Sequence, residues 1–339
     1  MDMGGLYTGR FKWAGLLAGV VLVAVLAMIS ISVGVTRVPL STVVESFIHY
    51  QPTNNEHLII RTTRVPRTVF ALVVGASLAV AGALMQALTK NPLASPATLG
   101  VNAGASLFIV GGVTLFSITA VPSLMILGFI GAAVAAAIVY FLGSVGREGL
   151  SPLKLTLAGA AIAAFFASIT QGMLVMNEKG LNELLFWLTG SVEGRSLESA
   201  LPMFPFMLVG WLLALWMAPN IDILTMGEDV ARGLGMKTGL IKGIGALIVV
   251  LLAGGSVAVA GPIAFVGLVV PHFVRAWVGA SHRFIIPYAA VYGAALLMAS
   301  DIAGRLVMNQ QEIPVGVMTA ILGTPFFIYL AGRKGSEEG

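Results

Sequence analysis

The chain contains no cysteine and unusually few charged residues: 339 residues include zero Cys and only 10% Asp, Glu, Lys and Arg. The absence of Cys excludes disulfides, thiolate metal ligands and a cysteine nucleophile. A soluble domain carries about 25% charged residues, and one soluble core could not bury a composition that is 58% hydrophobic. With a mean hydropathy of +0.95, the composition predicts an all-α polytopic membrane protein.

The formal net charge of +4 does not indicate a nucleic-acid partner. Such a partner requires basic residues clustered on one face or stripe. Here the Lys and Arg residues are scattered between long apolar blocks. We therefore expect the membrane lipid, and no nucleic acid, as a partner of this surface.

A membrane-spanning helix needs roughly 20 apolar residues, and charges or Pro, Gly and Asn clusters mark where one span ends. This criterion predicts about ten spans in a single transmembrane domain over residues 1–339, with short terminal segments at 1–12 and 332–339. The first follows basic residues as a signal peptide does, but it is too long and lacks a clear cleavage site. The spans lie near 13–35, 66–88, 95–112, 119–142, 153–175, 200–218, 240–260, 263–280, 284–303 and 313–331.

The positive charges indicate an orientation, since cytoplasmic loops carry an excess of Lys and Arg. With both termini inside, the inner segments hold twelve of the nineteen Lys and Arg residues and the outer segments hold seven. We therefore expect a multi-pass membrane protein with cytoplasmic termini. Four arginines that oppose the bias crowd one outer loop before the second span, namely Arg37, Arg61, Arg64 and Arg67.

Two segments resemble each other and lie in spans that cross in opposite directions. Residues 75–82 (GASLAVAG) and 254–261 (GGSVAVAG) match at six of eight positions, and Pro92 and Pro271 follow at the same offset. Inverted repeats of this kind underlie many transporters. Chance recurrence of Gly, Ala and Val in a Gly-rich membrane chain remains the alternative.

The sequence contains no obvious source of energy for transport. It lacks a G-x-x-x-x-G-K-[ST] phosphate-binding loop. Ion-driven carriers usually bury ionisable residues near the middle of the membrane, whereas the main polar residues of these spans are Gln86, Gln171 and Asp301. An ion-coupled carrier is disfavoured, and a separate subunit is the expected energy source.

The longest inner loop, 226–239, is too polar to span the membrane and is patterned as a short helix. Gly227 opens it, Glu228 and Asp229 lie where a helix dipole favours anions, and Gly235 can end it. An apolar face is expected from Val230, Leu234 and Met236. The loop is either an amphipathic connector lying on lipid or a helix that fits a groove on a cytoplasmic partner.

Seven blocks in this order resemble the signature of the iron-siderophore and vitamin B12 ABC-importer permeases, the FecCD type. Each block alone is a weak signal, but together they cover the chain from about residue 60 to 331. The blocks are 64–68 (RVPRT), 82–94 (GALMQALTKNPLA), 99–104 (LGVNAG), 187–191 (WLTGS), 227–235 (GEDVARGLG), 261–272 (GPIAFVGLVVPH) and 313–327 (IPVGVMTAILGTPFF).

The resemblance implies the ten-helix permease fold of the vitamin B12 importer, a location in the bacterial cell membrane and a set of partners. These are a second permease, either an identical copy or a paralogue, two cytoplasmic ABC ATPases, and an extracytoplasmic substrate-binding protein. The permease itself is then no enzyme and binds no cofactor, because ATP and Mg²⁺ belong to the ATPases. The coupling residues that the resemblance implies are Gly227, Glu228, Asp229, Arg232, Leu234 and Gly235.

The resemblance also implies a role for outer arginines. Arg64 and Arg67, before the second span, and Arg305, at the end of the ninth, match positions that meet acidic residues of the binding protein. Two alternatives stay open. Arg64 and Arg67 can extend to lipid headgroups, and Arg305 can pair with Asp301 one helical turn away. Arg61 has no such match and reads as a loop charge.

The resemblance implies a cytoplasmic gate around the inner loop that follows the second span. Pro92 and Pro96 stop helices, so the backbone there can line a cavity instead of lipid. The path and gate candidates are Gln86, Asn91, Leu93 and, at the start of the fifth span, Ser151. The family often has small hydroxyl residues at the facing position, and Pro152 departs from that pattern. A plain inner loop is the alternative.

The four histidines and Trp187 are the remaining candidates for a functional role. His49, His57 and His282 are expected to be isolated loop residues and His272 a packing residue at a kink, so no metal site is predicted. The Trp187 segment resembles a short outer helix over the path, or it rests at the membrane interface, where Trp is common. The expected cargo is an iron(III)-siderophore, with cobalamin or haem as alternatives, because the matching motifs concern architecture more than cargo.

Overall fold

The computed structural model describes residues 9–34, 38–145, 151–176, 187–307 and 311–335. Within these ranges the regular structure is entirely helical. The predicted tail 332–339 and the N-terminal segment 1–12 lie partly outside them. In chain order the α-helices are α1 Gly9–Ser32, α2 Leu40–Ile48, α3 Asn55–Ile59, α4 Val65–Thr89, α5 Val101–Phe116, α6 Val121–Ser144, α7 Pro152–Met176, α8 Leu197–Ala200, α9 Phe204–Thr225, α10 Glu228–Gly233, α11 Thr238–Val249, α12 Gly255–Ala260, α13 Val266–Val278, α14 His282–Val307 and α15 Val315–Gly335.

The described helices confirm the predicted all-α membrane architecture. Seven helical segments are long and apolar enough to cross a bilayer, and three shorter apolar helices, α5, α13 and the described part of α15, add to them. Two of the long segments contain a π-helical turn: Ile60–Arg64 joins α3 to α4, and Val250–Gly254 joins α11 to α12. The total of ten agrees with the spans expected from hydropathy.

The bounds of three predicted spans differ from the structure for identifiable physical reasons. The third begins only at Val101, because a 3-10 turn, Pro96–Leu99, precedes it. The eighth begins at Val266, because the chain between Gly261 and Phe265 is not helical. The sixth continues to Thr225, past the residue 218 at which we placed its end, since Asn220 and Asp222 are accommodated within the helix.

Helix α4 is the centre of the bundle, and α1 lies at its edge. Helix α4 packs chiefly against α14, and also against α13, α9 and α11. Glycines allow the close approaches: a Cβ on Gly82 would overlap the Gly267 carbonyl of α13, and one on Gly75 would overlap the Gly293 carbonyl of α14. Lipid supplies no hydrophobic driving force between helices. Small residues at such crossings let the helices approach closely and associate through van der Waals packing.

The two resembling segments have different structures at their ends. The first lies wholly inside α4, which continues beyond Gly82 to Thr89. The second ends its helix at Gly261, whose φ of 74° is left-handed. Of the matched prolines, Pro92 lies in the turn after α4, whereas Pro271 lies inside α13. The same sequence pattern therefore produces one continuous helix and one broken helix.

Candidate functional site

Helix α10 is a short helix whose two ends are fixed by glycines. Gly227 before it and Gly235 after it have φ of 134° and 80°, values that side chains with a Cβ rarely adopt. At its C-terminal end the Met236 N–H donates to the Ala231 carbonyl at 2.9 Å, and the Gly235 N–H donates to that of Arg232 at 2.9 Å. This pair of bonds is a Schellman motif, so the predicted opening and closing glycines both act as expected.

One face of α10 anchors the helix, and another is apolar and exposed. Ala231 is fully buried. Met226, Val230 and Leu234, spaced four residues apart, are 70%, 49% and 67% exposed. Met236 is half-buried, so the apolar face that we predicted from Val230, Leu234 and Met236 has Met226 in place of Met236.

The acidic start of α10 is tied to α11. The Glu228 carboxylate accepts a short hydrogen bond from the Lys242 ammonium and lies 3.3 Å from the Arg232 guanidinium. The hydrogen bond from Lys242 holds the pKa of Glu228 below its usual value. Asp229 is exposed. The two adjacent carboxylates therefore differ: one orients the loop helix, and the other faces outward.

A second connection joins the end of α9 to α14. The Asp222 carboxylate accepts hydrogen bonds from the His282 backbone N–H at 2.7 Å and from the Ser281 hydroxyl at 3.2 Å. The His282 ring Nδ1 lies 2.7 Å from the same carboxylate. Our expectation that His282 is an isolated loop residue is wrong, because it is buried here and begins α14. Together α10, the end of α9 and the start of α14 form what we call the α10 end of the bundle.

At the opposite end of α14, a buried carboxylate holds two arginines. Asp301 is 1% exposed. One Asp301 oxygen lies 2.9 Å from Nε and 2.9 Å from Nη2 of Arg67, and the other lies 3.0 Å from Nε of Arg305. Arg67 also pairs with Glu312. These groups define the Asp301 end of the bundle.

Two arginines at this end of the bundle, Arg305 and the neighbouring Arg64, also bond the end of α1. The last carbonyls of a helix lack intrahelical donors. Arg64 Nη1 donates to the carbonyls of Ile31 and Ser32, each at 2.8 Å. Arg305 Nη1 donates to the carbonyls of Ser30 and Val33, at 2.7 and 2.9 Å. Of the four arginines that opposed the charge bias, Arg64 therefore has a structural role here, and Arg37 lies outside the described residues.

The three arginines predicted to dock a partner are brought together but are buried. Arg64, Arg67 and Arg305 are 5%, 6% and 8% exposed. The alternative pairing of Arg305 with Asp301 is present, while Arg64 contacts helix carbonyls rather than extending to lipid headgroups. Arg61 is not a plain loop charge: its guanidinium lies 4.2 Å from the centre of the Tyr50 ring. Docking itself stays a prediction.

The residues predicted to gate the path lie in two separate turns. The Asn91 side chain accepts the Leu93 N–H at 2.9 Å, which closes the turn after α4. Ser151 caps α7, since its hydroxyl lies 3.3 Å from the Lys154 N–H. Asn91, Leu93 and Ser151 are all half-buried. Within the described ranges no hydrogen bond joins the two turns, so their opposition across a path stays a prediction.

Gln86 is buried between α4 and α13, where it compensates for a proline. Pro271 has no N–H, so the Gly267 carbonyl one turn earlier loses its helical donor. The Gln86 amide nitrogen lies 3.5 Å from that carbonyl and 3.2 Å from that of Leu268. Its oxygen accepts from Arg275. In this conformation Gln86 joins two helices, and its role in a path is untested.

A cavity lies where two stretches of non-helical backbone meet. One stretch is the connection from α4 to α5, and the other is the break before α13, where Phe265 has a φ of 68°. Non-helical backbone at membrane depth is tolerated where it is covered by protein or lines a cavity. The cavity measures about 280 Å³ and is lined by Leu78, Ser95, Pro96, Ala97, Asn102, Ile263, Ala264, Phe265, Gly267 and Leu268.

Comparison with known protein families identifies the family to which this architecture belongs. The model of the FecCD transport family matches residues 21–333. The chain belongs to the FecCD transport family. The match extends through all the helices described above except the beginning of α1 and the end of α15, and it confirms the resemblance that the seven sequence blocks indicated.

Individual FecCD relatives align along nearly the whole chain. The chain is 52% identical over 326 residues to YfiZ of Bacillus subtilis (strain 168), a siderophore transport system permease protein, covering 96% of this chain and 97% of the relative. It is 47% identical to YfmD of the same organism, an Fe(3+)-citrate import system permease, covering 83% of each. It is 39% identical to FepD of Escherichia coli (strain K12), a ferric enterobactin transport system permease, covering 93% and 94%.

A solved structure has the same fold as this FecCD chain. A structure described as an inward-facing conformation of a metal-chelate type ABC transporter matches with a TM-score of 0.82 and 26% identity, over 94% of this chain and 98% of that one. PsaBC of Streptococcus pneumoniae in complex with Fab matches with a TM-score of 0.57 and 16% identity, over 86% and 95%. The latter likeness concerns the fold alone.

Sequence reasoning missed several residues of the FecCD chain that the fold brings together. Asp222 lies beyond residue 218, the predicted end of the sixth span, so no sequence signal placed it on that helix. Glu312 has no sequence signal that links it to Arg67, because the two are 245 residues apart. Ser95 and Asn102 lie within or next to the recognised blocks, but only the break at Phe265 shows that they line a cavity.

Proposed function

We propose that this chain is the transmembrane permease subunit of an ATP-binding cassette importer that moves an iron(III)-siderophore into the cytoplasm. Its relatives are named as permeases for a siderophore, for Fe(3+)-citrate and for ferric enterobactin, which supports this class of cargo. The structural observation that supports the proposal best is α10, a rigidly capped loop helix with an exposed apolar face, in a chain without a nucleotide-binding motif.

The proposed partners are a second permease, two ATPases and a substrate-binding protein. We assign α10 to a groove on the ATPase, because an amphipathic helix binds a groove through apolar residues one turn apart. Met226, Val230 and Leu234 supply those contacts, and Asp229 supplies an exposed charge at the rim. The glycine caps and the Glu228–Lys242 bond keep α10 fixed to α11, so movement of the ATPase is passed to the membrane helices.

The proposed orientation places the α10 end and both termini in the cytoplasm. The excess of Lys and Arg in the loops on that side supports it. The Asp301 end then faces outward. Its arginines do not weaken the assignment, since Arg64 and Arg305 bond the carbonyls of α1 and Arg67 pairs with two carboxylates.

The proposed path runs past the cavity at the helix breaks and leaves through the turns of Asn91, Leu93 and Ser151. The polar lining of Ser95 and Asn102 beside mostly apolar walls supports weak contact with a passing cargo. Such a surface suits conduction, since a cargo that binds a transporter strongly cannot leave it. The binding protein, which captures the cargo, then sets specificity.

The binding protein is proposed to dock at the Asp301 end. Arg67 shares its charge between buried Asp301 and the more accessible Glu312, whose side chain is 19% exposed. A carboxylate of the binding protein can therefore replace Glu312 on Arg67 without breaking the pair with Asp301. Such charge pairing fixes orientation and speeds encounter more than it adds affinity.

The α10 assignment is tested with a charge placed on its apolar face. Leu234→Asp leaves the fold intact, because this side chain is exposed, and should abolish co-purification of the cognate ATPase and ATP-driven uptake. Leu40→Asp is the matched control: Leu40 is 51% exposed at the start of α2, outside the membrane-spanning segments, and the change should leave ATPase binding unchanged. Normal ATPase binding by Leu234→Asp would contradict the assignment.

A further inference from the structure

The part of the α7–α8 connection that the structure describes, from residue 187 onward, carries two charged side chains, Glu193 and Arg195, with different surroundings. The Glu193 pKa is raised by burial and by the nearby Glu312, and Arg67, Asp301 and Arg305 act on it as well. Arg195 has no such neighbours: burial alone lowers its pKa. Glu193 therefore belongs to the Asp301 end of the bundle. Arg195, two residues later, lies away from these charged groups.

Arg195 lines a cavity of about 180 Å³ at the same end of the bundle. The cavity lies between the end of α5, the start of α6, the end of α12 and the segment that begins at Trp187. Its wall is mostly apolar and includes one indole and one guanidinium. The lining residues are Ile109, Val113, Ile118, Thr119, Val121, Leu124, Met125, Trp187, Arg195 and Ala258.

The cation in this cavity has no counter-charge among the described residues. Arg195 Nε is buried and has no hydrogen-bond partner in the described part of the chain. Arg67, by contrast, is neutralised by Asp301 and Glu312. The Arg195 side chain as a whole is half-buried, and a buried N–H of a charged group that has no partner is disfavoured. An arginine that has an unpaired N–H and lines an open cavity can bind an anion there.

We propose that this cavity is an anion subsite for the cargo. Arg195 binds a carboxylate or phenolate oxygen there, and the indole of Trp187 packs against the apolar part of the same group. The guanidinium presents paired N–H donors that match a carboxylate. The volume suits one ring or a short chain, so one arm of a chelate enters while the metal centre stays outside. The inference rests on the proposed transport function and specifies the class of cargo.

Two probes of equal size test the subsite directly. Benzoate should raise the melting temperature of the purified full-length permease in detergent, with an apparent Kd in the millimolar range, and benzamide should not. In Arg195→Gln the benzoate shift should be lost, and in Arg195→Lys it should be retained in part. The matched control is Arg61→Gln, which removes an exposed arginine of the π-helical turn before α4 and should respond like the unmodified protein.

Other outcomes would overturn the subsite. Equal shifts by benzoate and benzamide would show an apolar cavity in which Arg195 binds nothing. Stabilisation through Arg195 by phosphatidylglycerol nanodiscs, but not by benzoate, would show a lipid-phosphate site instead. If Arg195→Gln keeps ATP-driven uptake of an anionic ferric chelate, the subsite fails while the transport function stands; if the unmodified chain shows no such uptake, the transport function fails.

Discussion

Replacing Asp301 with Asn should destabilise the protein strongly, because this carboxylate neutralises two buried arginines. Asp301 is 1% exposed and accepts from both Arg67 and Arg305. The Asn amide keeps one acceptor oxygen, but its NH₂ group faces guanidinium donors. Removing one partner of a buried ion pair costs about 3–5 kcal/mol, much of it from the charge left behind.

The remaining contacts set where in that range the effect falls. Arg305 keeps the carbonyls of Ser30 and Val33, and Arg67 keeps Glu312. We therefore expect a loss of about 3 kcal/mol, which is roughly a 100-fold change in the unfolding equilibrium. The free energy of unfolding in a mixed-detergent denaturant series, followed by tryptophan fluorescence, measures it.

Two control variants separate the charge effect from general damage. Glu198→Gln removes an exposed carboxylate and should change stability by less than about 0.5 kcal/mol. Asp301→Asn combined with Arg305→Gln should lose less than the sum of the two single changes, because the second removes an uncompensated cation. A loss below about 1 kcal/mol for Asp301→Asn would refute the buried-charge argument.

Two further changes test other parts of the structure. Gly82→Ala should destabilise the protein by about 1–3 kcal/mol, because its Cβ would overlap the Gly267 carbonyl. Gly172→Ala, whose Cβ meets nothing within 4 Å, should be neutral or slightly stabilising. Thermal melting of the two variants compares them. Because folding lowers the pKa of Glu228, its ionised carboxylate stabilises the folded protein. This stabilisation is present above the unfolded-state pKa of about 4.3 and is lost as the pH falls through the folded-state pKa. The melting temperature should therefore fall more steeply below about pH 4.3 in the unmodified protein than in Glu228→Gln, and parallel pH profiles would show that the Lys242 bond contributes nothing.

The sequence was sufficient for the helical architecture and for the loop helix. Hydropathy fixes the number of spans because each must cover the same hydrocarbon thickness. The glycines of 227–235 fix the ends of α10 because only they adopt the required backbone angles easily. Both features depend on residues close together in the chain, and both were predicted correctly.

Contacts between distant residues could not be predicted in the same way. Asp301 meets Arg67 of α4 only in the folded bundle, and Asp222 meets His282 only when α9 and α14 are adjacent. The pair of Asp301 with Arg305, one helical turn away, was by contrast an alternative that the sequence offered. Hydropathy also favoured continuous spans where the chain is broken before α13, since Ile263, Ala264 and Phe265 are as apolar as their neighbours. The cavity at that break therefore follows from backbone conformation and not from composition.

The central claim is that this chain transports only when an ATPase and a binding protein act on it, and uptake into proteoliposomes tests it most directly. The purified chain should take up no ferric siderophore under a proton or sodium gradient. Uptake should begin when the cognate ATPase, Mg-ATP and the loaded binding protein are all present, and should be lost in Leu234→Asp. Gradient-driven uptake by the chain alone would contradict the account.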